Sequence, residues 1–286
     1  MSASGQGTSG RLFVVATPIG NLGDITLRAI ETLRAADRVL AEDTRRTRAL
    51  LSHLGITGKS VDRLDAHAEQ DAIPRVIERL LGGESVALCT DAGTPIVSDP
   101  GALLIQAAIQ AGVPVVPIPG ASAVLAALAL SGLGAGGFRF LGFLPRSGPE
   151  RREAIARVDG TPEAVVLFES PQRLDETLRD LAAVMPAREA VVARELTKLH
   201  EEATRGTLGA LAAAEAREWL GEVTLVLGPR AEAEAEKPSD DEIARRIQAE
   251  LARGRRAKDV AEELSLTLGV PKREMYARVV ALKEKG

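Results

Sequence analysis

The chain has few aromatic residues and a single cysteine. Aromatic residues make up 2% of the 286 positions, and Cys89 is the only thiol. One cysteine excludes an intramolecular disulfide, and its place at the end of a predicted strand favours a small core residue over a nucleophile. With so few rings, contact with nucleic acid cannot depend mainly on base stacking.

Metal ligands and membrane-spanning runs are also scarce. The three histidines, His53, His67 and His200, have no metal-ligand spacing with cysteine or carboxylates, so we expect no metal site. No apolar run is long enough to cross a bilayer, and the start of the chain lacks the pattern of a signal peptide. We therefore expect a cytoplasmic protein without a membrane partner.

Charge is distributed unevenly along the chain. The formal net charge is −4, but residues 237–286 contain 12 Lys or Arg against 9 Asp or Glu, which leaves −7 for the rest. The run AEAEAE at 231–236 separates the two parts and is typical of a linker. The sequence pattern of this C-terminal tail (237–286) predicts helices at 240–253, 257–264 and 271–283. This pattern fits a helix-turn-helix module that strengthens RNA binding, or equally a helical bundle docked on the body.

The body alternates strands and helices, which predicts the α/β class. In the first half we expect strands at 12–16, 38–41, 86–90 and 113–118, with helices at 24–35, 44–54, 69–81, 100–111 and 121–131. After a glycine-rich hinge at 131–137, we expect strands at 139–143, 164–169, 190–195 and 222–227, with helices at 149–158, 171–184 and 207–219. The predicted organisation is a disordered terminus (1–10), a first α/β domain with the cofactor loops (11–122), a second α/β domain (123–230), the linker (231–236) and a helical domain (237–286).

Three glycine-bearing loops follow predicted strands, at 17–23, 91–99 and 119–122. If those strands are parallel neighbours, the loops crowd one edge of one sheet, where open α/β sheets bind ligands. The loop at 17–23 contains neither a Walker A sequence nor a complete GxGxxG, which disfavours a nucleoside triphosphate or a nicotinamide cofactor there. Asp99 and Pro100 are expected to supply the N-cap and the first-turn proline of the next helix.

The loop at 91–99 is acidic, which limits what it can hold. A pyrophosphate requires cations, whereas Asp91, Asp99 and exposed carbonyls suit ribose hydroxyls and a cationic group. S-adenosylmethionine offers both, through its adenosine and its sulfonium. The alternative is that these two aspartates only cap turns.

Several segments together resemble the tetrapyrrole methylase superfamily, a group of class III methyltransferases. The similar segments of the first half are VVATPIGNLGDIT at 14–26, AEDTRRT at 41–47, TDAGTPIVSDPG at 90–101 and PGAS at 119–122. Those of the second half are GFLP at 142–145, FESPQRL at 168–174, RELTK at 194–198 and RGTL at 205–208. Within the superfamily they look most like the branch that methylates the 2′-hydroxyl of a cytidine in the decoding centre of 16S ribosomal RNA.

The resemblance implies two α/β domains of the class III methyltransferase type with a small C-terminal helical domain. It also implies an S-adenosylmethionine cofactor, the small ribosomal subunit as partner, and a homodimer. The cofactor is expected to lie between the halves. The residues expected to bind it are Pro18, Gly20, Asp91, Ala92, Thr94, Val97, Ser98, Ala121, Ser122, Phe143, Leu144, Phe168, Glu169 and Leu196.

Methyl transfer to a ribose oxygen is an in-line displacement that a general base assists. The candidate bases are carboxylates at predicted strand ends, Glu42, Asp43, Glu169 and Glu195. Lys198 is expected either to lower the pKa of a carboxylate or to hold a phosphate. Phosphate contacts to the RNA substrate are expected from Arg45, Arg173, Arg194 and Lys198.

Two other functions remain open at this point. A corrin or porphyrin methyltransferase would use the same cofactor loops on a planar polycarboxylate. A non-catalytic nucleic-acid-binding protein would use the tail alone and would not bind S-adenosylmethionine. The chain also departs from the family pattern, with Gln172 where a histidine is usual and only His67 left of a His-Glu-His-Asn cluster.

Overall fold

The computed structural model describes residues 10–64, 69–214, 218–230, 240–253, 255–268 and 272–283. The chain divides into two compact units, one ending at Arg230 and the other beginning at Ala231. The first unit contains two five-stranded sheets, and the second contains three helices. The predicted disordered terminus apart from Gly10, the linker at 231–236 and the segment around His67 lie outside the described residues.

The first sheet is entirely parallel, with strand order β3-β2-β4-β1-β5. Its strands are β1 (Leu12–Val15), β2 (Arg38–Ala41), β3 (Ser60–Arg63), β4 (Val86–Cys89) and β5 (Val115–Ile118). The helices are α1 (Leu27–Ala35), α2 (Thr44–His53), α3 (Glu69–Leu81) and α4 (Ala102–Gln110). Because β1 pairs with both β4 and β5, the three glycine-bearing loops meet at one sheet edge, which confirms the expected arrangement.

The second sheet is mixed, with strand order β6-β7-β10-β8-β9. Only β6 and β7 are parallel, and the other pairs are antiparallel. Its strands are β6 (Phe138–Phe143), β7 (Ala164–Glu169), β8 (Glu189–Arg194), β9 (Glu202–Thr207) and β10 (Val223–Leu227). The helices are α5 (Ala123–Ser131), α6 (Gly148–Asp159), α7 (Pro171–Val184) and α8 (Leu208–Ala213).

A shared apolar core joins the two halves of this unit. Ile19 from the first loop and Val124 from α5 pack with Val166, Val191 and Leu196 of the second half. Helix α5 lies against β8, β9 and β10. This joint core holds the loop edge of the first sheet against one face of the second.

The sequence-based prediction omitted two strands and placed the end of one helix wrongly. Strands β3 and β9 were not expected, because both are polar edge strands whose sequences, SVDR and EATRGT, lack apolar alternation. The helix predicted at 207–219 ends at Ala213. Trp219 instead packs on the apolar core between the second sheet and its helices, and donates its ring N–H to Asp175 at 2.6 Å.

The start of α4 also differs from expectation. Gly101, with φ +117°, is its N-cap, and no side chain caps the helix. Asp99 is therefore not the cap, and Pro100 precedes the helix instead of opening it. A Cβ at Gly101 would collide with Leu88, so the close packing of loop on strand requires glycine.

The described residues of the second unit form α9 (Asp240–Ala252), α10 (Ala257–Leu268) and α11 (Lys272–Lys283). The three predicted helices are confirmed, although α10 extends four residues beyond its predicted end. Ile247, Val260, Met275 and Val279 form the buried core of this unit. Within the described parts of the whole chain, no helix combines the length and apolarity needed to span a bilayer.

Candidate active site

Hydrogen bonds tie the three glycine-bearing loops into one surface. Thr17 and Gly93 exchange backbone hydrogen bonds, at 2.8 Å and 3.0 Å. The Thr94 hydroxyl donates to the Ala121 carbonyl at 3.3 Å. The Thr17 hydroxyl donates to the carbonyl of Thr90 at 3.1 Å. The loops are thus held in fixed relative positions.

The loop at 91–99, the longest of the three, has a strained backbone. Ile96 and Ser98 adopt left-handed conformations, with φ +70° and +69°. Ser98 lies beside Gly142, where the pairing of β6 with β7 shifts register in a bulge. Non-glycine residues keep such conformations only where the surrounding contacts hold the backbone in place, and they cluster at binding and catalytic sites.

A cavity of about 410 Å³ lies between this loop surface and the second half, within the size range of small-molecule sites. Part of its wall is apolar, from Ile19, Val97 and the rings of Phe143 and Phe168. Eight of the expected cofactor-binding residues line it: Ala92, Thr94, Val97, Ser98, Ser122, Phe143, Phe168 and Glu169.

The other six expected cofactor-binding residues lie outside the cavity lining. Pro18 is buried, Gly20 is exposed beside Lys198, and the Ala121 carbonyl accepts the bond from Thr94. The carboxylate of Asp91 accepts from the Asp43 amide at 3.0 Å and lies 3.4 Å from Arg46. The side chains of the remaining two belong to apolar cores: Leu144 and Leu196.

The charge of the cavity wall is negative. Asp99, Glu169 and Glu222 contribute to it, and among its described lining residues there is no lysine or arginine. Hydroxyls come from Thr94, Ser98 and other serines and threonines. This donor set fits a ribose and a cationic sulfonium or ammonium group, and it does not fit a pyrophosphate.

The carboxylate of Glu169 is used within the protein. It is 3% exposed, accepts from the Ser170 amide at 2.8 Å and from the Thr177 hydroxyl at 2.7 Å, and lies 3.6 Å from Arg173. Thr177 in turn accepts from the buried Arg151. These contacts anchor the first turn of α7 and leave the oxygens of Glu169 committed to protein donors.

Glu195 and Lys198 form a second fixed group. The Lys198 ammonium lies 2.9 Å from Glu195 and 3.2 Å from Glu222, and the Glu222 amide donates to Glu195 at 2.9 Å. The hydrogen bonds from Lys198 and the Glu222 amide lower the pKa of Glu195. Burial acts against the charge on Lys198, but its bonds to the two carboxylates raise the pKa of Lys198.

The segment carrying this group is strained and contacts the first loop. Glu195 and Thr197 have φ +50° and +66°. The Thr197 hydroxyl accepts from the Asn21 amide at 3.0 Å, while its own amide donates to Glu201. A Cβ on Gly20 would collide with Lys198, so the close approach of the two halves depends on that glycine.

Glu42 and Asp43 are neighbours with opposite behaviour. Burial first, and then the charges of Asp91 and Asp99, raise the pKa of Glu42. Hydrogen bonds from the Arg45 and Arg46 amides lower the pKa of Asp43, which is the N-cap of α2. Burial likewise raises the pKa of Asp99.

The Thr90 hydroxyl faces the carboxylates of Glu42 and Asp99. It offsets part of the rise in the pKa of each, and both pKa values remain raised. Thr90 is buried, and its hydroxyl closes a regular hydrogen bond with neither. At the adjacent end of β4, burial raises the pKa of the Cys89 thiol to about 12, in keeping with a core residue. The described residues contain no group of three or more His, Cys, Asp or Glu suited to a metal ion.

Three of the four expected phosphate-binding cations are engaged within the protein. Arg173 donates to the carbonyls of Leu144 and Pro145, and Arg194 donates to Glu202 through two nitrogens. Lys198 is paired with Glu195 and Glu222. Arg45 differs, because its side chain is 87% exposed and its described ion pair, with Asp43, is long at 3.5 Å.

The expected cofactor-binding residues omitted several residues of the cavity lining. Asp99 was considered as a contact for a cationic ligand but was also expected to cap a helix, and Glu222 and Thr224 were not considered as site residues. The signal for Asp99 was its place in a long loop at a strand end. Glu222 directly precedes the buried strand β10, but its loop gave no comparable signal.

The Tetrapyrrole (Corrin/Porphyrin) Methylases family model matches residues 11–212. The chain belongs to this family. It is 46% identical over 277 residues to the ribosomal RNA small subunit methyltransferase I of Mesorhizobium japonicum, covering 96% of this chain and 92% of that protein. It is 41% identical over 280 residues to the protein of that name from Halalkalibacterium halodurans, covering 93% of each.

Solved structures show the same fold. Diphthine synthase has a TM-score of 0.61 at 23% identity, over 77% of this chain and 90% of that one. Uroporphyrin-III C-methyl transferase from Thermus thermophilus, complexed with S-adenyl homocysteine, has a TM-score of 0.52 at 18% identity, over 77% and 97%. The expected fold class and S-adenosylmethionine-dependent methyl transfer are thereby confirmed.

Proposed function

We propose that this tetrapyrrole methylase family member methylates the 2′-hydroxyl of a cytidine ribose in the decoding centre of 16S ribosomal RNA. The main support is the likeness to ribosomal RNA small subunit methyltransferase I proteins, which extends over nearly the whole chain and includes the tail. A ribosomal substrate implies that the protein acts in the cytoplasm.

The cavity between the two halves is the proposed cofactor site. S-adenosylmethionine, when bound, supplies an electrophilic methyl group on a cationic sulfonium. The chain contributes apolar surface from Ile19 and the two Phe rings, hydroxyls from Thr94 and Ser98, and negative charge from Asp99 and Glu222. These carboxylates favour a cation in the cavity, and the fixed loops orient it and exclude water.

Glu42 is the proposed general base. Asp43 is bound to backbone amides, Glu169 has two hydrogen-bond donors and an ion pair with Arg173, and Glu195 is paired with Lys198. Glu42 has a raised pKa and lies beside Asp99, which lines the cavity. A carboxylate in this environment accepts a proton more readily than an ordinary glutamate, and the proton from the ribose hydroxyl would move to its Oε atom.

Contact with the RNA backbone by the first unit is proposed for Arg45, which extends from the first turn of α2 close to Glu42. Arg173 and Arg194 would assist by holding loop carbonyls and β9, respectively, in place. Lys198 would act with Glu195 and Glu222 as a fixed group at the boundary of the halves.

A transfer assay tests this function. The full-length protein is incubated with tritiated S-adenosylmethionine and small ribosomal subunits from a strain that lacks the modification. We expect tritium in the 16S RNA of those subunits and none in subunits that already carry the methyl group. Transfer to a tetrapyrrole with no transfer to either subunit would overturn the proposal.

A further inference from the structure

The second unit contains an open groove of about 590 Å³ lined by Lys258, Lys272, Arg273 and Tyr276. Lys258 comes from the start of α10, and the other three come from the start of α11. Tyr276 is the only tyrosine of the chain and is 47% exposed, although the adjacent Met275 is completely buried. The groove thus combines three cations with an accessible aromatic ring.

The three cations lie at helix N-termini, where positive charge destabilises a helix. Lys258, Lys272 and Arg273 lie in the first turns of their helices, where the helix dipole and free N–H groups favour negative charge. Lys272 is paired with Glu262 at 2.8 Å. Across the part of the chain that the structure describes, Lys258 and Arg273 form no ion pair. Asp259 and Glu274 already place negative charge in these first turns, so an anion in the groove would be held mainly by Lys258 and Arg273.

We propose that this groove binds single-stranded RNA, with backbone phosphates on Lys258 and Arg273 and a base stacked on Tyr276. Phosphates at basic helix N-termini and a base on an aromatic ring are the two contacts that single-stranded nucleic acid offers together. An inorganic anion would use the cations but not the ring. The inference rests on the proposed RNA substrate and assigns the contact with it to three residues.

The test measures binding of the full-length protein to a fluorescein-labelled oligocytidylate of about twelve nucleotides, by fluorescence anisotropy over a range of salt concentrations. The groove variant is Lys258→Gln with Arg273→Gln. The control, Arg253→Gln with Arg278→Gln, removes the same charge from two cations that already have ion-pair partners. Arg253 lies 2.6 Å from Glu250, and Arg278 lies 2.7 Å from Glu274.

The groove variant is expected to bind at least about tenfold more weakly than the control. Its slope of log affinity against log salt should fall by about 1.4, since each single-strand phosphate contact contributes about 0.7. Tyr276→Ala should weaken binding by about tenfold without changing the slope, and Tyr276→Phe should bind like the unmodified protein because the ring is retained.

Equal affinity of the groove variant and the control would overturn the proposal, as would full binding by Tyr276→Ala. Tight binding of inorganic phosphate or of phosphatidylserine vesicles without binding of the oligonucleotide would also overturn it. Because the assay involves no methyl transfer, failure of the proposed function leaves its result intact. A groove variant that loses RNA binding but keeps S-adenosylmethionine affinity by calorimetry also separates this site from the cavity.

Discussion

Glu42 and Glu195 each directly follow a strand, yet their surroundings give them opposite acidity. Burial and two neighbouring aspartates raise the pKa of Glu42, whereas Lys198 and a backbone amide lower the pKa of Glu195. A raised pKa makes the carboxylate a better proton acceptor, and a lowered one makes it a better partner for a fixed cation. These environments distinguish a candidate base from a residue that holds the loop.

Glu42→Gln should lower kcat by about 10²- to 10⁴-fold, the usual contribution of a general base. The affinity for S-adenosylmethionine should stay unchanged, because Glu42 is not part of the cavity lining. The control is Asp43→Asn, since asparagine retains the N-cap of α2. Single-turnover methylation of small subunits measures the effect, and equal rates for the two variants would remove Glu42 as the base.

The rate should also depend on pH in a specific direction. A base acts when it is ionised, so the raised pKa of Glu42 predicts that activity falls, on acidification, at a higher pH than for an ordinary glutamate. Asp91→Asn removes a neighbouring negative charge, which should lower that pKa and shift the acid limb to lower pH. An unshifted limb would contradict the assignment.

The sequence identified the four candidate bases but could not rank them. Their positions at strand ends follow from the local pattern of apolar residues. The acidity of Glu42 depends on Asp91 and Asp99, which the fold brings close from a loop after another strand. Such long-range surroundings are not visible in a local pattern.

Arg188 is the clearest stabilising contact between elements. It is 6% exposed and donates to the carbonyls of Val158 and Gly228 at 2.8 Å, Glu163 at 3.0 Å and Thr161 at 3.2 Å. Its guanidinium therefore links the end of α6, the start of β7 and the end of β10.

Arg188→Met should lower the free energy of unfolding by about 3 kcal/mol, because several buried carbonyls lose their donor. Arg179→Met serves as a control, since Arg179 is exposed and its one described hydrogen bond is with Asp175 of its own helix. Urea unfolding followed by Trp219 fluorescence gives both values. A loss for Arg188→Met no larger than that of the control would show that the linkage is not important for stability.

Elements with a strong apolar pattern were predicted well, and polar edge elements were not. Helices α3 and α7 match their predicted bounds because their apolar residues recur at helical spacing. Strands β3 and β9 lie at sheet edges and each pairs on one side only. Edge strands often contain polar and charged residues, so these two lack the apolar pattern by which a strand is predicted. The cap of α4 was missed because Gly101 is fixed by its contact with Leu88, not by local preference.

At the scale of the whole molecule, exposed apolar residues on α4 support the proposed homodimer. Leu103 and Ile109 are 42% and 62% exposed, and Leu125 of α5 is 56% exposed. Covering such residues in a second copy would be favourable. Light scattering at micromolar concentration should give twice the 30.1 kDa mass of the chain. A single species at the chain mass would contradict the dimer.

Removal of the second unit should separate cofactor binding from RNA binding. A chain that ends at Arg230 retains both sheets and the cavity, so calorimetry should give unchanged S-adenosylmethionine affinity. Affinity for small subunits should fall, with a shallower salt dependence, because the basic residues are lost. Full retention of subunit binding would instead place recognition on the first unit, where the exposed Arg45 is the candidate contact.

The general location of the site could be predicted from the sequence, but its full lining could not. Long glycine-bearing loops after neighbouring strands predicted a ligand site at one sheet edge. The contribution of Glu222 depends on how the second half packs on that edge through the joint core, which no local pattern encodes.

The central claim is methylation of a ribose oxygen, and the chemical position of the transferred methyl group tests it most directly. Small subunits labelled with tritiated S-adenosylmethionine are extracted, and their 16S RNA is digested with alkali, which cleaves only next to a free 2′-hydroxyl. The account predicts that the tritium appears in an alkali-resistant dinucleotide that begins with cytidine. Tritium in a mononucleotide would place the methyl group on a base and contradict the account.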